Sequence, residues 1–98
     1  MYRVVVRVVL LARDGQMGLS REISMPFAPY PGLLLHDLAA DARWPEPAAE
    51  VAWSPAEGCF YVDLESWDEP GEGIAGLIDY FGPGWQLHEP GRVCEPAD

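Results

Sequence analysis

The sequence predicts an α+β fold, a mainly antiparallel sheet of about five strands in the order ββαββαβ with two helices packed on one face. Three observations predict it. Alternating apolar residues flank an Asp14-Gly15 pair near the start of the chain. A second set of alternating segments flanks the turn Ser54-Pro55-Ala56-Glu57-Gly58, and apolar residues recur at helical spacing over residues 74–81.

Each element follows from its own pattern. Tyr2, Val4, Val6, Val8, Leu10 and Ala12 share one strand face, and Arg3, Val5, Arg7, Val9 and Leu11 share the other. The second face is mixed rather than polar, which predicts a central strand. Asp14-Gly15 suits a two-residue hairpin loop, and Leu19, Ile23, Met25 and Phe27 continue the alternation. In that register Val6 faces Ile23, Val4 faces Met25 and Arg7 faces Glu22; a slip of two residues preserves the faces. Pro26, Pro29, Pro31 and Gly32 end the hairpin. Leu34, Leu35, Leu38 and Ala42 then fit one face of a helix over residues 33–43, stopped by Trp44-Pro45; its start is weakly marked, since Gly32 is only a fair N-cap, and Leu33–Leu35 alternatively extend a strand.

Residues 50–54 and 59–67 form the second hairpin, with Val51 and Trp53 on one face of its first arm and Phe60, Val62 and Leu64 on one face of its second. Ile74, Leu77, Ile78 and Phe81 make a helical stripe closed by Gly82-Pro83-Gly84. Residues 85–88 alternate as a last short strand. Residues 1–90 are thus expected to form a single α+β domain, and residues 91–98 a flexible C-terminal tail.

Composition narrows the function. The chain has 98 residues, 16 acidic and 6 basic, and a formal net charge of −10. Every basic residue is arginine. The charge is uneven: residues 1–50 carry five arginines against six carboxylates, and residues 51–98 carry one against ten. Such a balance disfavours direct binding of nucleic acid or of an anionic membrane, both of which reward Lys and Arg. A hydrophobic content of 49% is too high for a disordered acidic tail. Arg3 and Arg7 interrupt the apolar N-terminal segment, so a strand rather than a signal peptide is expected there, and the protein is expected to be cytoplasmic. Cys59 and Cys94 are then reduced thiols.

No catalytic motif emerges. Cys59, Cys94, His36 and His88 lack the spacing of a zinc site. The carboxylates between Asp63 and Asp79 match no calcium loop, and Gly71-Glu72-Gly73 carries too much negative charge for a phosphate cradle. Neither a metal site nor a cofactor is assigned, and enzymatic activity is not expected. Four tryptophans and four tyrosines exceed what a core of this size requires. Tyr61, Asp63, Glu65 and Trp67 alternate along one strand, and Asp68, Glu69 and Glu72 follow in the next loop. Interleaved aromatic and acidic groups suit a basic protein partner through charge complementarity and cation–π contact. The expected function is therefore a non-enzymatic protein-interaction module. Val5, Val9 and Leu11 need a cover on their face of the sheet and predict a homodimer. The alternative is a small-molecule-binding or enzymatic domain, its pocket between sheet and helices, with Phe27 and Tyr30 at the mouth and Asp63 or Glu65 as polar group.

Overall fold

Strand β1 (Tyr2–Ala12) runs through the middle of a single mixed sheet. The computed structural model of the chain describes residues 1–36, 38, 46–82 and 84–88. Along one edge β1 pairs antiparallel with β2 (Gly15–Met25) over its full length. Along the other it pairs in parallel, first with β5 (Cys59–Leu64) and then with β6 (Trp67–Glu69). Beyond β5 lie β4 (Glu46–Ser54) and β3 (Leu34–Leu35), and beyond β2 lies β7 (Gln86–His88). The order is β3-β4-β5-β1-β2-β7, with β6 continuing the β5 side. One helix, α1 (Ile74–Phe81), is present among the described residues.

This architecture corrects the predicted α+β class of about five mainly antiparallel strands and two helices. The described chain is mostly β, its sheet has seven strands of mixed direction, and a single short helix covers it. The helix expected over residues 33–43 fails at its start. Leu34 and Leu35 pair instead with Pro47 and Glu46, and Ala48 exchanges backbone hydrogen bonds with Gly32 and Leu33. A ladder with β4 satisfies these backbone groups, and the leucine spacing that suggests a helix serves a strand end whose Leu35 and nearby Leu38 are buried. Asp37 and residues 39–45 lie outside the described residues, as do residues 89–98 with the expected tail.

The parallel pairing also departs from the antiparallel sheet expected. It arises because residues 26–33 carry the chain from β2 across to the far side of the sheet, so that the β4–β5 hairpin returns β5 alongside β1. Alternation within a strand specifies which face is buried, but not which strand lies next to it.

The first hairpin forms with a two-residue shift from the predicted register. Val4 faces Ile23, Val8 faces Leu19 and Ala12 faces Gly15, leaving Arg13 and Asp14 as the turn. Because the slip is even, the buried face is unchanged. Gly15 adopts φ +151°, a conformation open to glycine, which lets it enter the strand. Asp14 also reaches beyond the hairpin, where its Oδ1 accepts a hydrogen bond of 2.9 Å from the Ile74 N–H. Gly73, at the N-cap of α1, has no side chain to cap the helix, so the turn between β1 and β2 supplies the cap from 60 positions away. The Arg13 N–H donates to the Glu72 carbonyl at 2.9 Å in the same contact.

Val4, Val6, Val8, Leu10 and Leu19 are at most 2% exposed and form the core with Val62, Leu64, Leu77 and Phe81. Helix α1 packs on this face. Gly82 ends it with φ +81°, its N–H donating to the Ile78 carbonyl. The opposite face carries Val5, Val9 and Leu11, each half-buried. No helix among the described residues is long and apolar enough to cross a membrane.

Removing the borrowed cap by Asp14→Ala is expected to lower stability by about 1 kcal/mol, with Asp14→Asn retaining most of it. Equilibrium denaturation of the two variants measures this, and equal losses would dismiss the cap. A second expectation concerns Glu46, whose carboxyl is raised above its ordinary value by burial and, secondarily, by the charge of Glu65. A raised carboxyl holds its proton more tightly in the folded state, so its contribution is present in acid and lost as pH rises through the folded value. Glu46→Gln should therefore melt at a higher temperature than the native chain at neutral pH, the gap closing in acid. A gap independent of pH would contradict this.

Candidate functional site

The seven residues expected to form one acidic, aromatic surface are divided by the structure between two faces of the sheet. Arg7 of β1 pairs with Asp63, whereas three residues further on Leu10 pairs with Trp67, four residues beyond Asp63. One extra residue therefore lies between β5 and β6. Because strand side chains alternate with period two, a single insertion reverses the faces. Tyr61 and Asp63 lie on the side of Arg7, and Trp67 and Glu69 lie on the side of α1. The shared strand face predicted for Tyr61, Asp63, Glu65 and Trp67 is corrected accordingly.

On the first side, Arg7 makes a bidentate pair with Asp63, Nε to Oδ1 at 2.5 Å and Nη2 to Oδ2 at 2.8 Å. Its guanidinium carbon stands 4.5 Å from the centre of the Tyr61 ring, and Tyr61 is buried. Such a fork-to-fork pair fixes both side chains and neutralises Asp63. Glu65 is exposed at the break between strands, and Asp68 is exposed opposite Leu11.

On the second side the chain builds a cleft. Glu69 ends β6, and a turn closed by the Glu72 N–H donating to the Glu69 carbonyl brings the chain to the start of α1. Trp67, Glu69, Glu72, Gly76, Leu77 and Tyr80 line a cavity of about 340 Å³. That is near the lower end of the ~300–1,000 Å³ of small-ligand pockets. Trp67 and Tyr80 have ring centres 5.3 Å apart and belong to a cluster with Phe81 and Trp85, which holds the aromatic wall in place. Neither Glu69 nor Glu72 forms an ion pair with a described residue. The Arg13 guanidinium lies beside the cleft, its Nη2 3.3 Å from where a Cβ on Gly73 would stand, without pairing with either carboxylate. Gly76 keeps the cleft open: a Cβ there would stand 2.9 Å from Oε2 of Glu72.

Two unpaired carboxylates beside two aromatic rings favour a cation and repel an anion. Sequence reasoning names Trp67, Glu69 and Glu72 but misses Tyr80, Gly76 and Leu77. Leu77 reads only as part of the helical stripe; Gly76, between Ile74 and Leu77, is the visible hint that α1 offers a gap on one side.

The other candidates are dispersed. Phe27 and Tyr30 are exposed and line no part of this cleft, and Asp63 is held by Arg7. Cys59 is a buried free thiol, His36 is exposed, and His88 Nε2 hydrogen-bonds the buried Ser20 hydroxyl at 2.6 Å. Cys94 lies outside the described residues. Among the described residues no three His, Cys, Asp or Glu side chains gather as a metal site. Comparison of the chain with protein-family models, curated proteins and solved structures finds no match.

The position of Gly76 generates a prediction. Gly76→Ala should stabilise the fold by about 0.5–1 kcal/mol, because alanine is the better helix former and only the mobile end of Glu72 stands in its way. Thermal denaturation reads this, and a destabilised variant would show that the Glu72 carboxylate is held rigidly.

Proposed function

We propose that this chain is a non-enzymatic protein-interaction module whose cleft between β6 and α1 receives a lysine or arginine side chain from a basic protein partner. The observation that carries the reading is the convergence of Glu69 and Glu72, both without an ion-pair partner among the described residues, with the rings of Trp67 and Tyr80 on one small cavity. A cation entering it meets negative charge on one side and ring faces on the other. The long-range field adds to this, since ten of the sixteen acidic residues lie in residues 51–98. Self-association through Val5, Val9 and Leu11 belongs to the same proposal. These half-buried side chains lie on the face opposite α1, so a second copy placed there leaves the cleft open.

The cleft is tested by titrating the isotope-labelled chain with a lysine-rich peptide and, separately, with acetyl-lysine amide. The amides of Trp67, Gly76 and Tyr80 should shift, and Glu69→Gln with Glu72→Gln should weaken peptide binding by about tenfold or more, about 1.4 kcal/mol. Added salt should weaken it further. Binding that survives both substitutions, or is indifferent to salt, would refute the cleft. Response to the free amide but not the peptide would move the reading to a small cationic ligand. Sedimentation of the same samples reads the dimer, and a 10.8 kDa monomer throughout would remove it.

A further inference from the structure

A second surface lies at the other end of β1, on the same face of the sheet as α1. Trp53 of β4 stands opposite Phe60 of β5, and Tyr2 of β1, two residues before the Val4 that pairs with Phe60, reaches the same ring diagonally. Ring centres are 5.6 Å apart between Tyr2 and Phe60 and 4.8 Å between Phe60 and Trp53. Tyr2 is 44% and Trp53 51% exposed. The alternation of the core face runs out into solvent here, and the fold gains little stability from rings left half in water. Neither the Trp53 indole N–H nor the Tyr2 hydroxyl donates to another residue among those described.

We infer that this row is a docking site for a proline-rich segment in the polyproline II conformation, carrying a basic residue beside it. Four features select that occupant. The rings are tilted by 69° and 56°, so they form ridges and notches rather than the flat platform a sugar ring stacks on. The ring centres step 5.6 Å from Tyr2 to Phe60 and 4.8 Å from Phe60 to Trp53, which puts the outer two rings within about 10 Å of each other. One turn of a polyproline II helix is about 9.3 Å, so residues three apart project onto Tyr2 and Trp53 together. Such a segment has no internal hydrogen bonds and, at proline, no N–H; it presents carbonyl acceptors, which is what an indole N–H and a phenol O–H can serve. Finally, Glu22 and Glu57 share one cation at this end of the sheet, Arg3, which pairs with Glu22 and donates to the Glu57 carbonyl, so two carboxylates face one guanidinium and a basic flank on the ligand meets net negative charge. The net charge of −10 argues against a nucleic acid as the stacking partner.

This surface does not depend on the cleft, which lies along β1 at Leu10–Ala12. The test is a titration of the full isotope-labelled chain with a synthetic polyproline peptide ending in arginine. Controls are a Gly-Ser peptide with the same arginine and a soluble β-linked oligosaccharide. The expected result is a shift of the Tyr2 and Phe60 amides and of the Trp53 indole N–H with the polyproline peptide alone. Trp53→Ala should weaken binding about tenfold or more, as stacking on an exposed aromatic anchor predicts, with circular dichroism unchanged. Trp53→Phe, which keeps a ring and loses the donor, should fall between. Glu69→Gln with Glu72→Gln should leave this binding unaltered, which separates its failure from that of the cleft. The proposal is overturned if millimolar peptide shifts none of these signals, or if the Gly-Ser control shifts them equally. It is likewise overturned if only the oligosaccharide binds, or if the signals move with protein concentration alone, which would place a second copy on the row.

Discussion

Everything in this structure leans on the two-sided pairing of β1. A strand paired over its full length on one edge and over residues 4–7 and 10–12 on the other leaves little polar backbone to water, and with one face covered by α1 it holds Val4, Val6, Val8 and Leu10 essentially inaccessible. Its parallel partners lie more than 50 residues away in sequence, because Val4 pairs with Phe60 and Leu10 with Trp67. Forming that edge means closing a long loop before any contact offsets the entropy. The β1–β2 hairpin is local, so it is the natural template onto which β5 and β6 assemble. Helix α1 takes its cap from a side chain of the hairpin turn, so the helix start depends on the hairpin as well.

Much of this is legible in the sequence wherever one face of an element decides its burial. The core face of β1, the helix at 74–81 and the turn at 55–58 follow from periodicity and turn chemistry, and the structure places them there. The failures share a cause, which is that pairing between distant segments leaves no local pattern. Leu34 and Leu35 have helical spacing, yet β4 offers their backbone a ladder. Asp14 reads as a turn former, yet its carboxylate caps a helix 60 positions on, and the hairpin register settles two residues away from the Asp-Gly optimum.

The site shows the same limit in sharper form. Tyr61, Asp63, Glu65 and Trp67 obey a strict alternation, and nothing at Glu65-Ser66 advertises an extra residue. Whether a segment runs straight or bulges is decided by the partner strand, here by β1 advancing three residues while its neighbour advances four. That single residue separates two environments for acidic side chains. Asp63 lands beside Arg7 and is neutralised, so it contributes structure. Glu69 lands on the helix side, where no arginine among the described residues pairs with it, so its charge remains available.

The segregation of charge then acquires a physical reading. Arg3 and Arg7 of the first half are committed to Glu22 and Asp63, both on the face away from α1. A pair between Arg3 and Glu22, half exposed on both sides, adds little stability, whereas the bidentate Arg7 pair is largely shielded and holds β1 to β5. The positive charge of these two arginines is thus engaged within the sheet, on the face opposite the cleft. The carboxylates of the second half that line the cleft have no such counterpart among the described residues. An acidic chain built only for solubility has no reason to divide its charges this way, and the proposed recognition of a basic partner draws on the aromatic rings that stand beside the unpaired ones.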